Sequence, residues 1–401
     1  MSKTKSSKIA VRGGEILEKT RLLDLSKQEL EEFVINNDMP KFRAKQLFEW
    51  LYKGAEFPEM SNIPAALREK LSGLSVTGVP KVRSCLRSSL DETCKFLFEM
   101  QDGVLVESVL MKYKYGWSVC ISSQAGCRMG CKFCASSQIP FSRSLSPGEI
   151  LGQIIAINRH ESITVSHVVI MGIGEPLDNY DNIIKFLRLV TSPEGLNISA
   201  RKLSLSTCGV VPKIYSLAEE QLPVTLSISL HNPFDSERSE IMPVNRAYNL
   251  DSLFEACRHY QSKTGRRITF EYSLISGVND SERHGRELAK RLKGMLCHVN
   301  LIPVNTVDGS GFRRPDRKNI EKFRELLEKQ GIPATVRREL GRDISAACGQ
   351  LRKSVAENIQ KKNAAENTQE KTVAENTNRK NAAENTQGKT GTEAASGGSC
   401  L

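Results

Sequence analysis

The sequence predicts an α/β protein built on a partial (β/α)6 barrel, preceded by a small all-helical domain. From Trp117 onward, short apolar segments alternate with amphipathic helices, which is the pattern of parallel βα units. Six units cover this span, too few for a closed eight-unit barrel. Between Arg21 and Leu74 the apolar residues follow helical periodicity interrupted by prolines, which predicts the helical domain.

Chemistry is expected at the carboxyl ends of the predicted strands, because parallel sheets bind their ligands there. The six predicted strands span residues 118–123, 167–172, 202–207, 224–230, 268–275 and 297–304. The helices between and after them are predicted at residues 147–159, 182–190, 211–220, 250–263, 282–292 and 318–330.

A β-hairpin is predicted before the barrel, because two apolar segments flank Asp102-Gly103, a dipeptide that favours a type I′ turn. The tail contains no aromatic residue, and Ala-Glu-Asn recurs every nine residues from Ala356, so we expect it to be disordered. The predicted organisation is a flexible N-terminal arm (residues 1–20), a helical accessory domain (21–80), a hairpin extension (81–116), the barrel with a C-terminal cysteine (117–352), and the tail (353–401).

The composition excludes several classes of protein. With 401 residues the chain is too long for a disulfide-stapled miniprotein, and it has neither a secretory signal nor the roughly 18 uncharged apolar residues of a spanning helix. We therefore expect a cytoplasmic protein. Its net charge of +11 suggests an anionic partner, and its 11 cysteines, unusual in a reducing compartment, suggest metal binding or thiol chemistry.

Three cysteines follow the first predicted strand in a tight C-x3-C-x2-C loop, Cys127, Cys131 and Cys134. Thiolates are the usual ligands of iron–sulfur clusters, and three of them can hold three irons of a [4Fe-4S] cluster. The fourth iron is then open for substrate. Structural zinc is the competing interpretation, but it requires four ligands, commonly from two separated C-x2-C pairs, and the sequence has no second pair.

This cysteine loop resembles that of the radical S-adenosylmethionine (SAM) superfamily, whose members carry it after the first strand of a partial (β/α)6 barrel. A second resemblance lies at the end of the second predicted strand, in Met171-Gly-Ile-Gly-Glu-Pro176. It implies that Gly174 and Glu175 contact the methionine amino group of SAM, because glycine permits close backbone approach and glutamate accepts from an ammonium. The implied cofactors are one [4Fe-4S] cluster and SAM.

Further segments resemble one family within this superfamily, the RlmN/Cfr-type RNA methylases. The resemblance covers nearly all of residues 21–352 and includes Phe42–Trp50, Cys120–Cys127, Arg143–Glu149 and Ala346-Ala-Cys348-Gly-Gln-Leu. It implies that three segments at later strand ends help to hold SAM, through Ser206, through Ser229, Leu230 and His231, and through Asn305.

The resemblance also implies a covalent route of methylation, because an aromatic C–H of adenine is neither acidic nor a useful nucleophile. Cys348 takes a methyl group from one SAM, a substitution suited to thiolates. A second SAM, bound at the cluster, provides the radical that activates this methyl group for addition to C2. Cys120 then attacks the sulfur of Cys348, which releases the methylated RNA and leaves a disulfide. Glu107 is the implied proton acceptor.

The partners implied by the resemblance are 23S ribosomal RNA at the peptidyl-transferase centre, certain transfer RNAs at the adenosine after the anticodon, and an electron donor of the flavodoxin or ferredoxin type. We expect a monomer without membrane association. A Cfr-type methylase of adenosine C8 uses the same cysteines and cluster, so the motifs leave the position open, although the longer helical domain favours C2. A basic RNA-binding or ribosome-assembly protein with a structural metal is the alternative from another class.

Overall fold

A ten-stranded sheet organises the chain in this computed structural model, which describes residues 19–305 and 311–346. Cys348, the tail and nearly all of the predicted N-terminal arm lie outside the described residues. The strands are β1 (Thr20–Arg21), β2 (Ser75–Val76), β3 (Lys81–Arg87), β4 (Cys94–Glu99), β5 (Leu105–Tyr113), β6 (Gly116–Cys120), β7 (Gln124–Ala125), β8 (Arg143–Ser144), β9 (Val165–Ile170), β10 (Leu203–Thr207), β11 (Thr225–Ser229), β12 (Ile268–Leu274), β13 (Cys297–Pro303) and β14 (Ala334–Val336).

The helices confirm the alternation predicted from the sequence. They are α1 (Lys27–Asn36), α2 (Arg43–Tyr52), α3 (Ala65–Leu74), α4 (Pro147–Glu161), α5 (Tyr180–Thr191), α6 (Val211–Glu219), α7 (Asp235–Ile241), α8 (Leu250–Thr264), α9 (Glu282–Leu292) and α10 (Arg317–Lys329). Helix α7 and strands β1, β2, β3, β7, β8 and β14 were not predicted. All of them except the seven-residue β3 are short, and β3 lacks a clear apolar period.

The sheet runs in the order β14-β13-β12-β11-β10-β9-β6-β5-β4-β3. Strands β6 and β9 to β14 are parallel, as in the predicted open barrel, which confirms the α/β fold class. The central parallel strands are apolar along much of their length because both of their faces are covered; in β12, for example, Ile268, Phe270 and Leu274 are fully buried.

The predicted hairpin is present and continues the same sheet. Strand β4 pairs antiparallel with β3 and β5, and β5 pairs antiparallel with β6. The predicted type I′ turn is wrong. Gly103 has a positive φ of 82° and donates its N–H to the carbonyl of Met100, but Asp102 has no positive φ. The connection is therefore a three-residue loop that ends in a left-handed glycine.

The helical segment at the N-terminus packs against α4. Ser26 and Glu29 form a reciprocal capping box that starts α1. Asp24 accepts a hydrogen bond of 2.7 Å from the backbone N–H of Gly148, in the first turn of α4.

Among the described residues, no helix is both long enough and apolar enough to cross a membrane.

Candidate active site

A cavity lies at the carboxyl ends of the parallel strands, where the topology predicts ligand binding. Its empty volume is about 1010 Å³, with open solvent at the mouth included. Nine of the predicted site residues line it: Cys127, Cys131, Cys134, Gly174, Glu175, Ser206, Ser229, His231 and Asn305. These residues come from five separate segments of the chain, so the fold brings the predicted cluster loop and the predicted SAM-binding segments together.

The cysteine loop is held from several sides. Gly126 precedes it with a positive φ of 80°. The backbone N–H of Lys132 donates to the carbonyl of Ile241 at 3.0 Å, which ties the loop to α7. Phe133, inside the loop, packs edge-on against the ring of His231, with 4.6 Å between ring centroids. The loop is therefore docked on the end of β11.

The three thiols fit a polynuclear cluster better than a single zinc ion. Their sulfur atoms do not all lie within 4.8 Å of one another, whereas the ligands of one tetrahedral zinc would be that close. Burial raises the pKa of Cys127 to about 11 and raises the pKa of Cys131 further. Both thiols therefore lose their protons at neutral pH only when a cationic group binds the thiolates. A [4Fe-4S] cluster with one thiolate on each of three irons fits this donor set.

Cys208, which follows β10, also lines this cavity. Its side chain is buried, and burial together with the nearby charge of Glu175 raises its thiol pKa well above the usual value. Cys208 lies outside the C-x3-C-x2-C loop and packs in a small hydrophobic cluster with Ile241 and Met242, so the three cysteines of the loop remain the donor set.

Gly174 and Glu175 form the turn after β9. Gly174 has a φ of 105°, and a Cβ there would lie 2.5 Å from the Cβ of Gln124, so the turn requires glycine. The carboxylate of Glu175 is buried and accepts backbone N–H bonds from Cys208 at 2.8 Å and from Leu177 at 2.9 Å. These bonds fix the carboxylate in the cavity wall.

The segment after β11 contributes two side chains to the cavity, and its third predicted residue points elsewhere. Ser229 and His231 line the cavity, whereas Leu230 is fully buried in the hydrophobic core. His231 has a φ of 57°, and its Nδ1 accepts from the backbone N–H of Ser273 at 2.9 Å. Burial lowers the pKa of His231 to about 3, so the ring is neutral.

Cys120 lies in a second cavity that adjoins the first. Both cavities are lined by Cys134, Met171 and Asn305, among other residues. Ala346 lines the second cavity as well and shares a hydrophobic cluster with Cys120. The described chain thus reaches the Cys120 pocket two residues before Cys348.

Glu107 lies on β5, next to the strand that carries Cys120. The cross-strand partner of Cys120 is Val109. Glu107 is two residues before Val109 on β5, so its side chain lies on the same face of the sheet as that of Cys120. The Glu107 side chain is buried, and its backbone carbonyl accepts from the hydroxyl of Ser122 at 2.6 Å. Neither cavity is lined by Glu107, so the structure places it beside the Cys120 pocket rather than in its wall.

Three charged residues at the cavity were missed by sequence reasoning. Glu271 and Arg337 line its wall, and Arg238 is fully buried behind it. Glu271 had a usable signal, since it is a lone carboxylate inside an apolar strand pattern. Arg238 lies in the short helix α7 and Arg337 directly follows the short strand β14, and the sequence pattern predicted neither element.

Comparisons with known proteins agree with this architecture. The model of the radical SAM superfamily matches residues 121–289, and that of the ribosomal RNA large subunit methyltransferase N-terminal domain matches residues 20–76. A probable dual-specificity RNA methyltransferase RlmN of Clostridioides difficile (strain 630) is 51% identical over 333 residues, 83% of this chain and 97% of the relative. A protein of the same name from Clostridium novyi (strain NT) is 50% identical over 339 residues, 84% of this chain and 99% of the relative.

A solved structure shows the same fold over the same span. The crystal structure of a radical SAM methyltransferase from Sphaerobacter thermophilus matches with a TM-score of 0.81 and 43% sequence identity, and the match covers 83% of this chain and 99% of that one. Identity of this level over most of both chains establishes the family. This chain belongs to the RlmN family of radical SAM RNA methyltransferases.

Proposed function

We propose that this protein methylates C2 of a specific adenosine in 23S ribosomal RNA and of the adenosine 3′ to the anticodon in some transfer RNAs. The observation that carries the proposal is the pair of adjoining cavities: one holds the cysteine loop and the predicted SAM-binding residues, and the other holds Cys120 and the end of the segment that leads to Cys348. The dual-specificity name of the relatives supports the two RNA classes.

The first cavity holds the cofactors in this proposal. Cys127, Cys131 and Cys134 bind the [4Fe-4S] cluster, and Gly174 and Glu175 orient the methionine end of SAM. Ser206, Ser229, His231 and Asn305 contact the rest of SAM, while Leu230 contributes its backbone. When bound, the cluster and SAM supply the radical that removes hydrogen from the methyl group to be transferred.

The second cavity holds the thiol chemistry. Cys348 carries the methyl group and forms the covalent bond to the RNA base. Cys120 attacks the Cys348 sulfur, so the bond from that sulfur to the methylene carbon breaks and a disulfide forms; the carbon keeps the electron pair and takes up a proton, which gives the methyl group. The apolar surroundings of Cys120, including Val109, Met111 and Leu340, exclude water from this exchange. Two SAM molecules are consumed for each methyl group added.

Glu107 takes the proton from C2 of the base in this scheme. It shares the Cys120 face of the sheet, and its burial suits a carboxylate that must be proton-accepting without competing water. Because the base must enter a cavity, the target adenosine has to be unstacked, which favours a loop in the RNA over a paired helix.

We infer that the protein acts as a cytoplasmic monomer reduced by a flavodoxin- or ferredoxin-type donor, and the surplus of basic residues supports an RNA partner. Methylation of C8, the Cfr-type reaction, would use the same cysteines and cavities. The match of residues 20–76 to the methyltransferase N-terminal domain favours the C2 reaction.

Nucleoside mass spectrometry tests the reaction. Ribosomal and transfer RNA from a strain that lacks its own C2 methylase is compared with and without this gene. We expect 2-methyladenosine in both RNA fractions. Detection of 8-methyladenosine would replace the C2 proposal with the Cfr-type reaction, and absence of both products would favour a metal-containing RNA-binding protein.

Cysteine variants test the covalent route in the same strain. Cys120→Ala should become trapped on RNA, because the adduct forms and is not resolved, whereas Cys348→Ala should never crosslink. Cys85→Ala is a suitable control, since Cys85 is a half-buried cysteine that lines neither cavity. Normal turnover by both active-site variants would disprove the covalent scheme.

A further inference from the structure

A second buried carboxylate, Glu271, faces the cavity at a distance from the cysteine loop. It lies on β12, its residue surface is only 4% exposed, and it lines the cavity wall. In the sheet order β12 is the third strand beyond β9, the strand that leads to Glu175. Glu271 therefore stands at the far side of the cavity from the proposed methionine site.

The two buried carboxylates differ in how their oxygen atoms are used. Both oxygens of Glu175 accept backbone N–H bonds. In Glu271 only Oε2 is engaged, by the side-chain amide of Asn300 at 2.8 Å and by the guanidinium of Arg337 at 3.9 Å. Oε1 of Glu271 accepts no hydrogen bond from residues 19–305 or 311–346. Glu271 lines the cavity wall, so a donor brought by a ligand can reach this oxygen, which accepts nothing from the described residues.

The neighbours of Glu271 hold the carboxylate in place. Cross-strand pairing puts Ser229, Glu271 and Asn300 side by side on one face of β11, β12 and β13. Burial raises the pKa of Glu271, while the charge of Arg337 and the hydrogen bond from Asn300 oppose that rise and favour the carboxylate. The group is thus a positioned acceptor rather than a mobile surface charge.

A ribose hydroxyl is the donor that matches this position. In the proposed function the methionine end of SAM lies at Glu175, so its nucleoside must extend over β10 and β11 toward β12. A carboxylate that accepts from a ribose hydroxyl is a recurring way of holding a nucleoside. We propose that Oε1 of Glu271 accepts a hydrogen bond from a ribose hydroxyl of bound SAM, an assignment that rests on the proposed function.

Binding measurements test this assignment without turnover. Cluster-loaded wild type and Glu271→Gln are compared by equilibrium dialysis, in the absence of reductant, with SAM and with its 2′-deoxy and 3′-deoxy analogues. Glutamine keeps the shape and can still accept from Asn300, but it presents an NH₂ group where Oε1 stood. Iron content and circular dichroism establish that the variant is folded and loaded, and Asp251→Asn, at an exposed site on α8, is the matched control.

We expect wild type to lose affinity by about 10- to 100-fold for one of the two deoxy analogues, as for a hydrogen bond to a charged group. Glu271→Gln should bind SAM more weakly than wild type by a similar factor. The variant should bind that deoxy analogue less than about threefold more weakly than it binds SAM, because the two changes remove the same interaction. Asp251→Asn should match wild type for all three ligands.

Three other outcomes overturn the assignment. If Glu271→Gln loses as much affinity for each deoxy analogue, relative to SAM, as wild type does, Glu271 does not contact the ribose of SAM and has a structural role in the sheet instead. If the variant discriminates only between RNA substrates with ribose and deoxyribose at the target adenosine, the contact belongs to the RNA. If cluster-loaded wild type does not bind SAM at all, the proposed function fails together with the inference.

Discussion

The guanidinium of Arg238 donates a hydrogen bond of 2.8 Å to the carbonyl of Cys208, at the end of β10. The same side chain donates to the carbonyls of Leu230 and Ser229, at the end of β11, and to the side chain of Asn245. Its acceptors are all neutral, and Arg238 is fully buried. One planar cation thus joins the two strand ends that form the middle of the cavity wall.

Replacing Arg238 should destabilise the protein and its SAM site together. Arg238→Leu leaves these acceptors without their donor, at about 1–3 kcal/mol for each group that water cannot reach, so we expect a loss of at least about 3 kcal/mol. Urea unfolding measures the change, and equilibrium dialysis should show weaker SAM binding. Arg246→Leu, at an exposed site nearby, should change neither the free energy of unfolding nor SAM binding. If Arg238→Leu also left both unchanged, Arg238 would not be holding the two strand ends together.

Gly126, directly before the cysteine loop, and Gly130, inside it, should respond differently to alanine. Both have positive φ, 80° at Gly126 and 69° at Gly130, which costs an alanine about 1–2 kcal/mol at either position. At Gly126 a Cβ would also lie 2.1 Å from the carbonyl oxygen of Pro140, whereas at Gly130 the nearest atom is 3.5 Å away.

We therefore expect Gly126→Ala to lose most of its iron and sulfide after anaerobic reconstitution, and Gly130→Ala to retain most of both. Iron and sulfide per chain, with the visible absorption of the cluster, provide the measurement. Equal iron and sulfide contents in the two variants would show that the clash with Pro140 does not prevent the loop from binding the cluster.

Asp343 should position the segment that leads to Cys348. It accepts hydrogen bonds from the hydroxyls of Ser88 and Ser89 and from the backbone N–H of Ser89, at 2.7–2.9 Å, which ties the segment to the β3–β4 loop. The bond from the Ser88 hydroxyl contributes most to lowering the pKa of Asp343 to about 2. A lowered pKa means that this contact is complete above about pH 4 and is lost only as the pH falls toward 2.

Asp343→Ala should therefore slow methylation of Cys348 roughly tenfold or more at neutral pH, because a small displacement of a reacting group is costly. Mass spectrometry of the Cys348 peptide after a timed reaction with SAM measures this rate. Asp251→Ala removes an exposed carboxylate from α8 and serves as the control. Equal rates in the two variants would rule out a positioning role for Asp343.

The repeats after residue 352 should be dispensable. The family resemblance ends there, so a chain that stops at Arg352 is expected to form 2-methyladenosine at the wild-type rate. A chain that stops at Ala346 lacks Cys348 and should form none. Loss of activity in the chain that stops at Arg352 would show that the repeats take part in the reaction.

The sequence alone predicted those features that depend on neighbours in the chain. The alternation of β9 to β13 with α4 to α6 and α8 to α10 could be predicted because apolar periodicity is a local property. The cysteine loop could be assigned because three ligands within eight residues are close whatever the rest of the chain does. The turn at Asp102-Gly103 was the local exception, since loop length rather than the dipeptide determined its type.

Only the tertiary structure decided what the distant segments do together. It turned Glu271 toward the cavity and Leu230 into the core, and it brought Ala346 beside Cys120 across more than 200 residues of chain. It also placed Arg238 between two strand ends that its own sequence neighbourhood does not indicate. Such relationships depend on packing between elements far apart in the chain, and a pattern read along one segment carries no information about them.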